Sequence, residues 1–117
     1  TILKLNPNIK KLDLSVCTKL DNDFLFFPTK ITELAMSFSN VTNTTILKIA
    51  TFCPDLEVLN ISFSNSVRGH AMILLLKKCK KLKTLCITGC SNIEDIEEYC
   101  GNLEKLYCLG TKIRPKK

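Results

Sequence analysis

The sequence predicts an α/β solenoid of about four to five coils, with a parallel β-sheet of short strands on one face and helices or turns on the other, built as a single domain over residues 1–117. Three observations predict it. The pattern apolar-x-x-apolar-x-apolar recurs five times, from Ile9 to Leu14, Ile31 to Met36, Leu56 to Ile61, Leu82 to Ile87 and Leu103 to Cys108, with starts 22, 25, 26 and 21 residues apart. Three residues beyond each copy stands a small residue (Cys17, Ser39, Ser64, Cys90, Thr111), and an apolar one follows at Leu20, Val41, Val67, Ile93 and Ile113. The segments between copies carry apolar residues at helical spacing.

Each strand is justified by its alternation. Side chains in a strand point to opposite faces in turn, so the fourth and sixth positions of each copy, Leu12/Leu14, Leu34/Met36, Leu59/Ile61, Leu85/Ile87 and Leu106/Cys108, face the core. The intervening positions face solvent. The small ninth position suits the bend, where a compact polar side chain satisfies backbone groups the turn exposes.

The returns follow in order. Residues 21–27, ahead of Pro28, are short and aromatic-rich and predict a turn or irregular segment. Asn43 to Cys53 opens with capping residues, carries Ile46, Ile49 and Cys53 at helical spacing, and is stopped by Pro54. His70 to Cys79 repeats the plan with Met72, Leu75 and Leu76. Ile93 to Cys100 predicts a third helical return, its acidic residues Glu94, Asp95, Glu97 and Glu98 favoured by the dipole at a helix start.

These motifs resemble the leucine-rich repeat, in the cysteine-containing subtype found in F-box and leucine-rich-repeat proteins. The resemblance rests on Cys53-Pro54-Asp55-Leu56, Cys79-Lys80-Lys81-Leu82 and Cys100-Gly101-Asn102-Leu103, on the turn cysteines Cys17 and Cys90, and on Asn6-Pro7-Asn8-Ile9 as the tail of a preceding repeat. It covers nearly the whole chain. Departures are Ser39, Ser64 and Thr111 at the turn position and Phe27 where the first copy lacks the leading Cys. The resemblance implies a concave strand face that binds a protein partner.

Composition excludes several alternatives. Apolar residues make up 45% of the chain and charged ones 24%, which is globular rather than disordered, and the longest apolar run, Ala71 to Leu76, is far below the roughly 20 residues that cross a bilayer. The net charge is +6, but Lys77, Lys78, Lys80, Lys81 and Lys83 crowd one short run and four more basic residues the tail, so nucleic acid is disfavoured. That run and the acidic stretch of the next coil are expected to neutralise each other. Seven cysteines, an odd number explained almost entirely by repeat positions, predict reduced, packed thiols in an intracellular compartment, cytoplasmic or nuclear. Cys86 alone, on an outward strand position, lacks a structural reason. The sequence holds no C-x-x-C pair, no Gly-rich phosphate loop and no G-x-S-x-G, and its single His70 opens a helix, so neither catalytic residues, nor a metal site, nor a cofactor are expected.

The outward strand positions therefore carry the functional expectation: a protein partner on the concave face, at Phe38 and Phe63 with Glu33, Asn60 and Tyr107 flanking. Phe38 and Phe63 occupy equivalent places in Ser37-Phe38-Ser39-Asn40 and Ser62-Phe63-Ser64-Asn65, and adjacent strands are about 4.8 Å apart, so the rings either form an apolar strip or fold over the edge onto one another. The chain reads as a fragment of a longer protein, with a larger complex covering its N-terminal coil. The F-box resemblance implies a substrate-recognition solenoid of a ubiquitin ligase receptor; the alternatives are a structural subunit of a larger assembly, of the mitochondrial coupling-factor kind, and a pathogen effector scaffold.

Overall fold

The computed structural model describes residues 6–17 and 28–113; the return predicted over 21–27 lies outside them. Five strands, β1 (Lys11–Asp13), β2 (Glu33–Ala35), β3 (Val58–Asn60), β4 (Thr84–Cys86) and β5 (Lys105–Tyr107), form one parallel sheet in chain order. Their register aligns the repeats without slip: Leu12, Leu34, Leu59, Leu85 and Leu106 are successive partners. Helices α1 (Asn43–Phe52) and α2 (Gly69–Lys78) return the chain behind the sheet.

The core lies between these layers. Leu34, Leu59 and Leu85 from the strands and Met36, Ile61 and Ile87 just beyond them meet Ile46, Ile49, Met72 and Leu75 from the helices, all of them buried. Burying each such side chain is worth about 1.5–3 kcal/mol relative to exposure. Leu12 and Leu14, in and just after β1, and Leu106 and Cys108, in and just after β5, are half-buried.

Both helices end as their sequences dictate. Thr42 caps α1, its hydroxyl accepting from the Thr45 N–H while the Thr42 N–H donates to Thr45 Oγ1, so two amides at the helix start are satisfied reciprocally. Helix α2 starts at Gly69, where an added Cβ would collide with the backbone oxygen of Glu94 in the next coil. Only a glycine lets the coils approach this closely. The Arg68 N–H ahead of it donates to Asn43 Oδ1 at 2.8 Å, tying the two helix starts together.

The third return departs from expectation. Residues 93–100 contain a single 3-10 turn, Glu97–Tyr99, and no α-helix. The coil from Leu82 to Leu103 has 21 residues, against 25 and 26 in the coils that hold ten-residue helices, and Asp95 takes a left-handed φ of 61° that interrupts helical backbone. Ile93 and Ile96 still reach the core. The lysine run also behaves differently. Lys81 pairs with Asp55 at 2.9 Å and Lys83 with Glu57 at 3.8 Å in the preceding coil, while Glu94 pairs with Lys112 at 3.6 Å in the following one. These three charges thus reach a neighbouring coil in register, and among the described residues no salt bridge joins the lysine run to the acidic stretch. Lys77 instead lies 5.3 Å from the Tyr99 ring centre, a cation–π contact.

Candidate partner-binding face

Beyond each strand the chain makes a four-residue turn. The N–H of the eighth repeat position prolongs the sheet ladder: Val16 donates to Ser37 O, Phe38 to Ser62 O, Phe63 to Thr88 O and Gly89 to Leu109 O, at 2.7–3.1 Å. The next N–H turns back three residues, as from Cys17 to Leu14 O and from Cys90 to Ile87 O. Such a turn needs positive φ at its third residue, and Val16, Phe38, Phe63, Gly89 and Gly110 all have it, at 56–81°. In the last two coils glycine takes this conformation freely; in the first three a bulky residue is held there at about 1–2 kcal/mol each.

The ninth position secures the turn. Ser39 Oγ donates to Leu14 O at 2.6 Å and accepts from the Cys17 N–H, Cys90 Sγ donates to Ile61 O, and Thr111 Oγ1 donates to Cys108 O at 2.6 Å. Ser64 is the exception: its hydroxyl is buried without a hydrogen-bond partner.

The two phenylalanines are brought together. Their ring centres are 4.4 Å apart with planes 14° from parallel, and the side of the Phe63 ring away from Phe38 lies over Gly89, where a Cβ would overlap it. The rings pack on one another and are exposed as well, with 57% of Phe38 and 46% of Phe63 accessible. Val16, Tyr107 and Leu109 are further exposed apolar side chains of the same turns and strands, Leu109 at 82%.

Glu33 and Asn60 meet at a different spot. They border a hollow of about 400 Å³ on β1 to β3, with Lys11, Asp13 and Val58, over the methyl of Ala35. Glu33 pairs with Lys11 at 2.9 Å across the strands. Asn60 Oδ1 accepts from the Ser62 N–H and Oγ, and Asp13 Oδ1 accepts from the Ser15 N–H at 2.9 Å. That backbone bond, with the Ser15 hydroxyl behind it, holds the Asp13 carboxyl below its ordinary pKa. Tyr107 stands apart, on β5, with Cys86 between it and Asn60 in the register.

Cys86, unexplained by the repeat pattern, proves half-buried with Sγ 3.0 Å from Ser62 Oγ and 3.6 Å from Thr88 Oγ1. Burial raises its pKa, but these bonds together with one from the Thr88 backbone outweigh it and leave the thiol below its ordinary value. Cys53 and Cys79 are the opposite case, pushed by burial to about 11 and about 12. Among the described residues no group of three or more His, Cys, Asp or Glu side chains is placed to hold a metal ion.

No family model matches the chain. It is 30% identical over 99 residues, 80% of its length, to the F-box/LRR-repeat protein 4 of Bos taurus, and 31% identical over 111 residues, 93% of its length, to the disease resistance protein RRS1 of Arabidopsis thaliana. The bovine relative is named for the F-box and the leucine-rich repeat, the plant one for disease resistance. The chain belongs to the leucine-rich-repeat proteins. Leucine-rich-repeat proteins are protein-interaction modules that meet their partners on the concave sheet face. The chain spans 16% of the length of the bovine relative and 8% of the plant one. No helix among the described residues of this leucine-rich-repeat protein is long and apolar enough to cross a membrane.

Sequence reasoning missed the left-handed column and the Ala35 hollow. Gly89 and Gly110 at the eighth position signal the first, and Ala35, the one methyl among Asp13, Asn60, Cys86 and Tyr107, signals the second.

Proposed function

We propose that this chain is a non-enzymatic, intracellular recognition solenoid that captures a protein partner on its strand face through Phe38 and Phe63, with Glu33, Asn60 and Tyr107 flanking. The observation that carries the reading is the exposed ring pair. Two aromatic side chains sit in a backbone conformation that costs stability, and they leave about half of their surface in water, so the core gains little from them. The bovine relative supports a place in a ubiquitin ligase receptor, where this solenoid holds the substrate; the plant relatives support the same recognition role in a different parent protein.

The test is partner capture by the full-length gene product. Replacing both Phe38 and Phe63 by Ser abolishes substrate capture while leaving ligase subunits bound, and hot-spot truncations of this kind cost on the order of 2 kcal/mol or more. Neutralising Lys77, Lys78, Lys80 and Lys81 leaves capture unchanged. Loss of capture in the lysine variant, with steep salt dependence, moves the interface to the basic end of α2. Absence of ligase subunits from the purified protein removes the ligase assignment and leaves the ring interface to be judged by the Phe variant alone.

A further inference from the structure

We propose that the Ala35 hollow and the Phe38/Phe63 pair together bind an extended peptide segment in which a cationic side chain, lysine or arginine, stands within about four residues of an apolar one. The inference rests on the strand face being the partner surface, and it names the partner's chemistry.

Shape provides the first argument. In the outward column Asp13, Ala35, Asn60, Cys86, Tyr107, Ala35 is the smallest residue, and the hollow of about 400 Å³ lies over it. A single side chain fits such a space. The floor is a methyl and one wall is Val58, which suits the aliphatic stem of a long side chain, while polar groups ring the mouth.

Charge provides the second. The hollow is bordered by the carboxylates of Asp13 and Glu33 and by one ammonium, that of Lys11, which is already 2.9 Å from Glu33. Asp13 is therefore the uncompensated charge, and its bond from the Ser15 N–H fixes the carboxylate at the rim. The hollow is net negative on a chain whose net charge is +6. An anionic segment or a nucleic-acid phosphate meets repulsion there, whereas a lysine or arginine head replaces water at a fixed carboxylate.

Position provides the third. Phe38 follows Ala35 by three residues and Phe63 follows Asn60 by three, about 10 Å along the strand direction at roughly 3.3 Å per residue. The rings, with Val16 beside Phe38 in the eighth-position column and uncharged Asn40 and Asn65 two residues further along the chain, offer an apolar platform at that distance. One short extended segment reaches both.

Panning a phage library of random seven-residue peptides on the purified chain, then measuring the selected peptides by fluorescence anisotropy, tests this. Selected peptides are expected to combine Lys or Arg with an aromatic or large aliphatic residue. Ala35→Leu, which fills the hollow, is expected to weaken them at least tenfold, and Asp13→Asn with Glu33→Gln about fivefold with loss of the basic preference. The carboxamide pair is isosteric and replaces exposed Asp13 and half-exposed Glu33, so it remains informative if Ala35→Leu lowers the melting temperature. Peptides that depend on Phe38 and Phe63 yet show no basic preference and ignore both hollow variants overturn this inference and leave the strand-face reading standing. Peptides indifferent to the rings and the hollow alike overturn both. Acidic selected peptides, or no selection at all, overturn the inference.

Discussion

The Phe38 and Phe63 rings stack at 4.4 Å between centres although both residues have left-handed backbones, with φ of 56° and 64°. The stack is a consequence of the turn. Each ring leaves a turn whose N–H continues the parallel ladder, so the strand spacing is handed on to the rings. Phe63 in turn covers Gly89, and the column has no room there for a third side chain.

Gly89→Ala should therefore destabilise the chain by about 2 kcal/mol, since it adds a Cβ at a φ of 75° and against the Phe63 ring. In a Phe63→Gly background the same change should cost about half as much. A double-mutant cycle by urea unfolding measures the coupling, and additive costs would show that the ring does not press on Gly89.

Phe63→Gly by itself should change stability by less than about 1 kcal/mol, because relief of the left-handed strain offsets the loss of the ring pair. Phe63→Val, which keeps the strain and loses the stack, should cost more than the glycine variant. Thermal melts rank the two.

Gly69→Ala should cost about 1–3 kcal/mol, more than a helix-start alanine anywhere else in the chain, because its Cβ would strike a backbone oxygen that no rotamer can move. Denaturant midpoints test it. A neutral result would mean that the coil between α2 and residue Glu94 yields at no cost.

Two serines at the same repeat position should respond in opposite senses. Ser39→Ala removes a donor to Leu14 O and an acceptor for the Cys17 N–H and should cost about 1–2 kcal/mol. Ser64→Ala removes a buried hydroxyl that has no partner and should be neutral or stabilising by up to about 1 kcal/mol. Paired unfolding curves give the sign directly.

The thiols predict a pH dependence. Cys53 and Cys79 ionise at about 11 and about 12 in the folded chain, against 9.0 for an ordinary thiol, so above pH 9 the unfolded chain loses these protons first and binds fewer than the folded one. Their contribution is complete below pH 9 and is lost as pH rises towards 11 and 12. Stability should fall across that window and fall less in a Cys53→Ala, Cys79→Ala variant. Near neutral pH a thiol reagent should label Cys86 first, its thiolate favoured by Ser62 and Thr88, and Cys53, Cys79 and Cys90 last.

The repeat by itself determined the strands, the core and the two long returns, because period-two alternation in Leu34/Met36 or Leu59/Ile61 and helical spacing in Ile46/Ile49 or Met72/Leu75 are local properties that stacking only reinforces. It also marked Phe38 and Phe63 as equivalent. Tertiary structure alone decided the rest. Whether 93–100 becomes a helix depends on the length of chain available between two fixed strand positions, and a 21-residue coil accommodates only a 3-10 turn. Whether Lys81 looks backward to Asp55 or forward to Glu98 depends on register between coils, which no local pattern encodes. The hollow over Ala35 exists only because Asp13, Ala35 and Asn60 come from three coils 22 and 25 residues apart and are placed side by side by the ladder. Identity at each position is written in the chain; adjacency across coils is created by the sheet.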